Sequence, residues 1–86
     1  MYVIIVYDTE KKNCTHLHKF LKKYLHWNQN SVFEGTVSRA QFMEIKHILE
    51  ERRAKDSHII LYSMENDKLV TKEEMGKPKG GVDNVL

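Results

Sequence analysis

The chain opens on six apolar residues without a break, "YVIIVY" from Tyr2 to Tyr7, and the run then stops on a carboxylate, Asp8. An unbroken run of this length and β-branched content reads as a central strand, covered on one face and partly on the other. The whole chain has 86 residues, enough for one domain that buries only about 60% of the surface its unfolded form exposes. Stability is modest at that size, and a self-paired dimer is an ordinary remedy.

From Thr15 the period changes. Leu17, Phe20, Leu21, Tyr24 and Leu25 recur at helical spacing and put one apolar stripe on a helix, with Lys19, Lys22 and Lys23 outside it. Asn13 or Thr15 is a candidate cap for its start, which leaves a short, lysine-bearing loop after Asp8. "QNSVFEGTV", Gln29 to Val37, follows as a second strand region. Gly35 inside it predicts a bulge or bend, so the region is one bent strand or two short strands of a hairpin. Ser38, with Gln41 three positions on, reads as a capping box ahead of a second helix that ends near Lys55. "HIILY", His58 to Tyr62, is a further apolar strand, and Leu69 to Lys72 a possible last one. This order predicts an α+β, ferredoxin-like βαββαβ sandwich with an antiparallel sheet, over residues 1–75. Residues 76–86, where glycine and the only proline crowd together, read as a flexible C-terminal arm.

Composition excludes several classes. An apolar fraction of 41% and a charged fraction of 30% are those of a globular domain. The first apolar run is too short for a signal sequence, and none approaches the ~18 residues of a membrane span, so a cytoplasmic location without membrane contact is expected. The single cysteine, Cys14, can form no internal disulfide and no zinc knuckle. The net charge of +2 is unevenly placed: between Thr9 and His26 stand Lys11, Lys12, Lys19, Lys22 and Lys23 against one acid, Glu10. Such a half can face a nucleic-acid backbone.

Asp8 is the leading candidate for chemistry, because it sits at the mouth of a strand beside those lysines. One carboxylate is a poor metal site alone, since protein-bound Mg²⁺ takes one or two carboxylates with water and phosphate oxygens. Two copies paired about a two-fold axis would each bring an Asp8, and one divalent ion between them could polarise a phosphodiester. The residues thus permit a metal-dependent nuclease, with Lys11, Lys12 and Lys19 holding phosphates. His16 and His18, two apart, cannot chelate one metal from a helix, yet either can touch phosphate or act as a general acid. His26, His47 and His58 read as surface or strand-edge residues, and Glu34 as a structural acid.

"MYVIIVYD" and "QNSVFEG", some twenty residues apart, together with "LVTKEE" near the end, resemble the CRISPR-associated protein two family over nearly the whole chain. The resemblance implies a ferredoxin-like homodimer with Asp8 at its interface as a ligand of Mg²⁺ or Mn²⁺. It implies an endonuclease acting on single-stranded RNA or duplex DNA, and a bridge between dimers of the CRISPR-associated integrase during spacer acquisition. The last strand, Leu69 to Lys72, would add to the partner's sheet, and Ser31 and Phe33 would shape the site beside Asp8. Relatives often carry arginines after the aspartate, where this chain has Lys11, Lys12, His16 and His18, and Trp27 stands where some have a basic residue. A purely architectural DNA-binding bridge, in which Asp8 only shapes the interface, is the alternative.

Overall fold

The computed structural model describes residues 1–8, 11–29, 31–53, 57–65 and 69–76. Its elements run β1 (Tyr2–Asp8), α1 (Lys11–Leu21), β2 (His26–Gln29), β3 (Val32–Thr36), α2 (Arg39–Arg52), β4 (His58–Glu65) and β5 (Leu69–Met75). The strands form one sheet in the order β2-β3-β1-β4-β5, with every neighbouring pair antiparallel. This is the expected ferredoxin-like arrangement with one strand more at the edge.

Alternation along β1 sorts the sheet into two faces. Val3, Ile5 and Tyr7 are buried, while Tyr2, Ile4 and Val6 are half-buried and Asp8 is exposed. The first set joins Phe33, Ile59 and Leu61 from the flanking strands and meets Leu17 and Leu21 of α1 and Phe42, Ile45 and Leu49 of α2. Spacings of four on α1, and of three and four on α2, give each helix the single apolar stripe this layer requires. The opposite face, which carries Ile4, Val6, Ile60, Tyr62 and Met64, has no helix over it among the described residues.

The second helix starts where Ser38 predicts. Its hydroxyl accepts from the Gln41 backbone N–H at 3.1 Å, and the Gln41 side chain accepts from the Ser38 N–H at 2.9 Å. The helix ends at Arg52, short of Lys55. α1 begins at Lys11 rather than at a cap at Asn13 or Thr15, so the lysine-bearing loop is mostly helix and both His16 and His18 lie within it. The bent region is a hairpin, and its first strand starts at His26, ahead of the expected Gln29. Its bulge falls between Trp27 and Gln29, not at Gly35. Gly35 makes room instead: a Cβ there would stand 3.3 Å from Leu25 Cδ2, so its bare backbone lets Leu25 lie over the sheet.

β5 pairs with β4 of its own chain, Ile59 opposite Met75 through Glu65 opposite Leu69. It closes at Gly76, whose φ of +83° suits glycine and where a Cβ would drive into the Ser57 carbonyl oxygen. The rest of the expected arm, 77–86, lies outside the described residues, as do the side chains of Lys11 and Lys12. Among the described residues no helix is long and apolar enough to cross a membrane.

Candidate functional site

The end of β1 is where the candidate residues separate. Asp8 ends the strand on the uncovered face, with its Cα partner His58 at the start of β4. The His58 ring is largely buried, its side chain 12% exposed, with Nε2 2.9 Å from Glu74 Oε2 on β5. A carboxylate and an acid-paired imidazole thus occupy one corner of the open face. Sequence reasoning left His58 among the scattered histidines; the signal that finds it is register, since β4 runs antiparallel to β1 and sets its first residue beside Asp8.

Ser31 and Phe33 stand close in the chain but on the other side of this corner. The Ser31 carbonyl accepts from the Tyr7 N–H at 3.1 Å, which ties the start of β3 to the end of β1. Phe33 is fully buried and stacks on Tyr7, with centroids 5.9 Å apart and planes 15° from parallel. Both rings belong to the helix-covered layer, so Phe33 supports the strand that carries Asp8 from beneath and does not share its face.

His18 joins that layer from α1. Its ring meets Phe33 edge-on at 5.1 Å and Trp27 edge-on at 4.6 Å, and its Nδ1 lies 3.4 Å from the Tyr7 hydroxyl oxygen. His16, 200° around the helix at ~100° per residue, is exposed instead. Lys19 is exposed and lines a shallow groove with Thr15, His18 and Lys22. The structure thus gathers His18 and Lys19, and keeps both on the helix side of the sheet from Asp8.

On the open face Glu34 is structural, as expected. It accepts from the Tyr2 hydroxyl at 2.6 Å and from Asn28 Nδ2 at 2.9 Å, linking β1, β3 and the bulge of β2. That hydrogen bond, with burial and the nearby negative charge adding to it, raises the Tyr2 phenol above its ordinary value.

As a metal site, one chain offers little. Among the described residues no three His, Cys, Asp or Glu side chains converge. The exposed Asp8 carboxylate is the right donor type for a hard divalent cation, and it leaves most coordination positions to water, phosphate or a second subunit.

Comparison with known proteins decides the family. The family model described as CRISPR associated protein Cas2 matches residues 1–72. The chain belongs to the Cas2 family. A Methanosarcina acetivorans protein named CRISPR-associated endoribonuclease Cas2 is 41% identical, with both chains covered completely. The Methanocaldococcus jannaschii protein of the same name is 38% identical over all of this chain and 76% of its own. Among solved structures, one described as the crystal structure of cas2 superposes with a TM-score of 0.72 at 38% identity, covering 100% of this chain and 98% of its own. Streptococcus pyogenes Cas2 at pH 6.5 does so with 0.69 at 31% identity, covering 78% and 89%.

Proposed function

We propose that this Cas2 chain acts in spacer acquisition as a homodimeric, metal-dependent endonuclease whose paired Asp8 residues form one site. The observation that carries the reading is the position of Asp8 at the end of an apolar face with no helix over it among the described residues. Tyr2, Ile4, Tyr62, Met64 and Val70 line a groove on that face. A second copy laid across it about a two-fold axis buries those side chains and sets one Asp8 near the other. Exchange of β5 between the two copies is compatible with this face, because β5 lies at the sheet's edge.

Each Asp8 would hold Mg²⁺ or Mn²⁺ with hard carboxylate oxygens. The ion, when bound, supplies Lewis-acid polarisation of a phosphodiester and a water of lowered pKa. The chain's own groups do the rest: β1, stapled to β3 and β4, fixes the carboxylate; His58, tied to Glu74, fills the corner beside it; and Lys11 and Lys12 draw the backbone in. Lysine binds phosphate as a point charge, without the two-pronged grip of arginine. The relatives are named endoribonucleases, which favours RNA, while the same dimer would span duplex DNA and dock the CRISPR-associated integrase.

The test is magnesium-dependent cleavage of single-stranded RNA and duplex DNA by wild type and Asp8→Ala, with sedimentation of both. Cleavage lost in a dimeric variant supports the reading. Equal cleavage in both overturns the catalytic role and leaves an architectural bridge, which spacer integration by the variant would then reveal.

A further inference from the structure

We infer that Trp27 and His18, with Lys19 and Lys22, form a stacking subsite for an unpaired base of a single-stranded nucleic acid. The inference takes its ligand class from the nucleic-acid reading above but not its Asp8 chemistry.

Trp27 lies on β2, the outermost strand on its side of the sheet, opposite Phe33 in register. It is 44% exposed, while the ring it stands against, Phe33, is fully buried. A half-exposed indole on an edge strand keeps part of its ring within reach of a flat ligand. The indole is also held in place. Tyr7 stacks on Phe33, Phe33 meets the edge of His18, and His18 meets Trp27 at 4.6 Å with planes 74° apart. A chain of rings rooted in the core thus ends in a half-open indole, so little side-chain entropy is lost when a flat ligand lands on it.

Charge selects the ligand. Lys22 Nζ lies 5.7 Å from the indole centroid, and Thr15, His18, Lys19 and Lys22 line the adjoining groove, with no acid among them. An aromatic platform beside lysines is the arrangement by which proteins bind single strands: the ring takes the base, the cations take the phosphates. A nucleobase on the indole would displace the Lys22 ammonium from the ring toward the flanking phosphate. In duplex the bases are already stacked, so the subsite discriminates in favour of unpaired ends and single strands.

Trp27 is the only tryptophan of the chain, which makes its emission a site-specific probe. In EDTA, where cleavage through Asp8 does not enter, the protein is titrated with a single-stranded oligoribonucleotide, the matching oligodeoxynucleotide, a blunt duplex, and an abasic oligomer of equal charge. Quenching is expected with both single strands, and little with the duplex or the abasic chain. Trp27→Ala should weaken single-strand binding, followed with a labelled oligomer, by about 5- to 150-fold, the worth of one stacked base. Trp27→Phe should keep most of the affinity, which separates stacking from a folding defect, and Lys22→Gln should flatten the salt dependence by about one phosphate contact. Abasic and normal oligomers that bind and quench alike overturn the inference, as does a Trp27→Ala protein within twofold of wild type. An emission unmoved by every oligonucleotide also overturns it.

Discussion

Asp8 and His58 face one another as the last residue of β1 and the first of β4, and Glu74 holds the His58 ring at 2.9 Å. The carboxylate is therefore set at a corner whose neighbouring side chain is already committed. That geometry favours a fixed acid at the rim of the open face over a mobile loop residue.

Asp8→Ala should remove metal-dependent cleavage while the far-ultraviolet circular dichroism stays that of wild type. Charge stabilisation by such an ion is worth several kcal/mol, which at tenfold per 1.36 kcal/mol amounts to a loss of ~100-fold or more. Single-turnover cleavage of a labelled RNA measures it, and residual activity above a tenth of wild type would remove Asp8 from the chemistry.

Ile4→Asp should separate the proposed dimer. Ile4 sits on the uncovered face between its register partners Glu34 and Tyr62, and a buried unpaired carboxylate there would cost several kcal/mol. Sedimentation velocity should show the wild type as a dimer and the variant as a monomer. A variant that stays dimeric would mean that the copies pair elsewhere.

Tyr2→Phe carries a pH signature. The Glu34 carboxylate that accepts from its hydroxyl raises the Tyr2 phenol, so the group binds its proton more tightly folded than unfolded. Its contribution to stability is whole below about pH 10, the ordinary phenol value, and is lost as pH climbs through the raised folded value. Urea unfolding from pH 8 to pH 11 should show wild type more stable than the variant at the lower end, with the gap closing above pH ~10. A constant gap would assign the effect to packing.

Gly76→Ala should destabilise by more than about 2 kcal/mol. A side chain at φ +83° already costs roughly 1–2 kcal/mol, and its Cβ would collide with the Ser57 carbonyl, a backbone atom that cannot swing aside. Chemical denaturation reads the change; a loss under 0.5 kcal/mol would mean that the turn after β5 opens easily.

What was legible in the sequence was local. β1 announced itself by an unbroken apolar run, and α2 by Ser38 and Gln41, whose reciprocal hydrogen bonds need nothing beyond four residues. The family followed from short motifs, and the fold from the order of the elements. β2 was misplaced because "HWNQ" is exposed throughout and owes its extended form to pairing with β3, which no pattern within it encodes. α1 started early because its first turn is polar, and periodicity only speaks where apolar residues recur. At the candidate site, Asp8 is legible as a candidate from its position after the strand. His58 beside it and the Trp27–His18 contact were not, since both arise from the register and approach of distant segments, and Phe33 fell on the far side of the sheet by the parity of its strand.

Beyond β4, β5 ends the sheet with Leu69 79% exposed and Val70 60% exposed. Seven residues of backbone with no neighbour on their outer flank, among those described, offer a template to any other extended segment. Two copies that take each other's template reciprocally cancel the offer, whereas copies that join head to tail pass it along and grow into a filament. The outer flank of β5 is thus a strip on which closed or open-ended association can start.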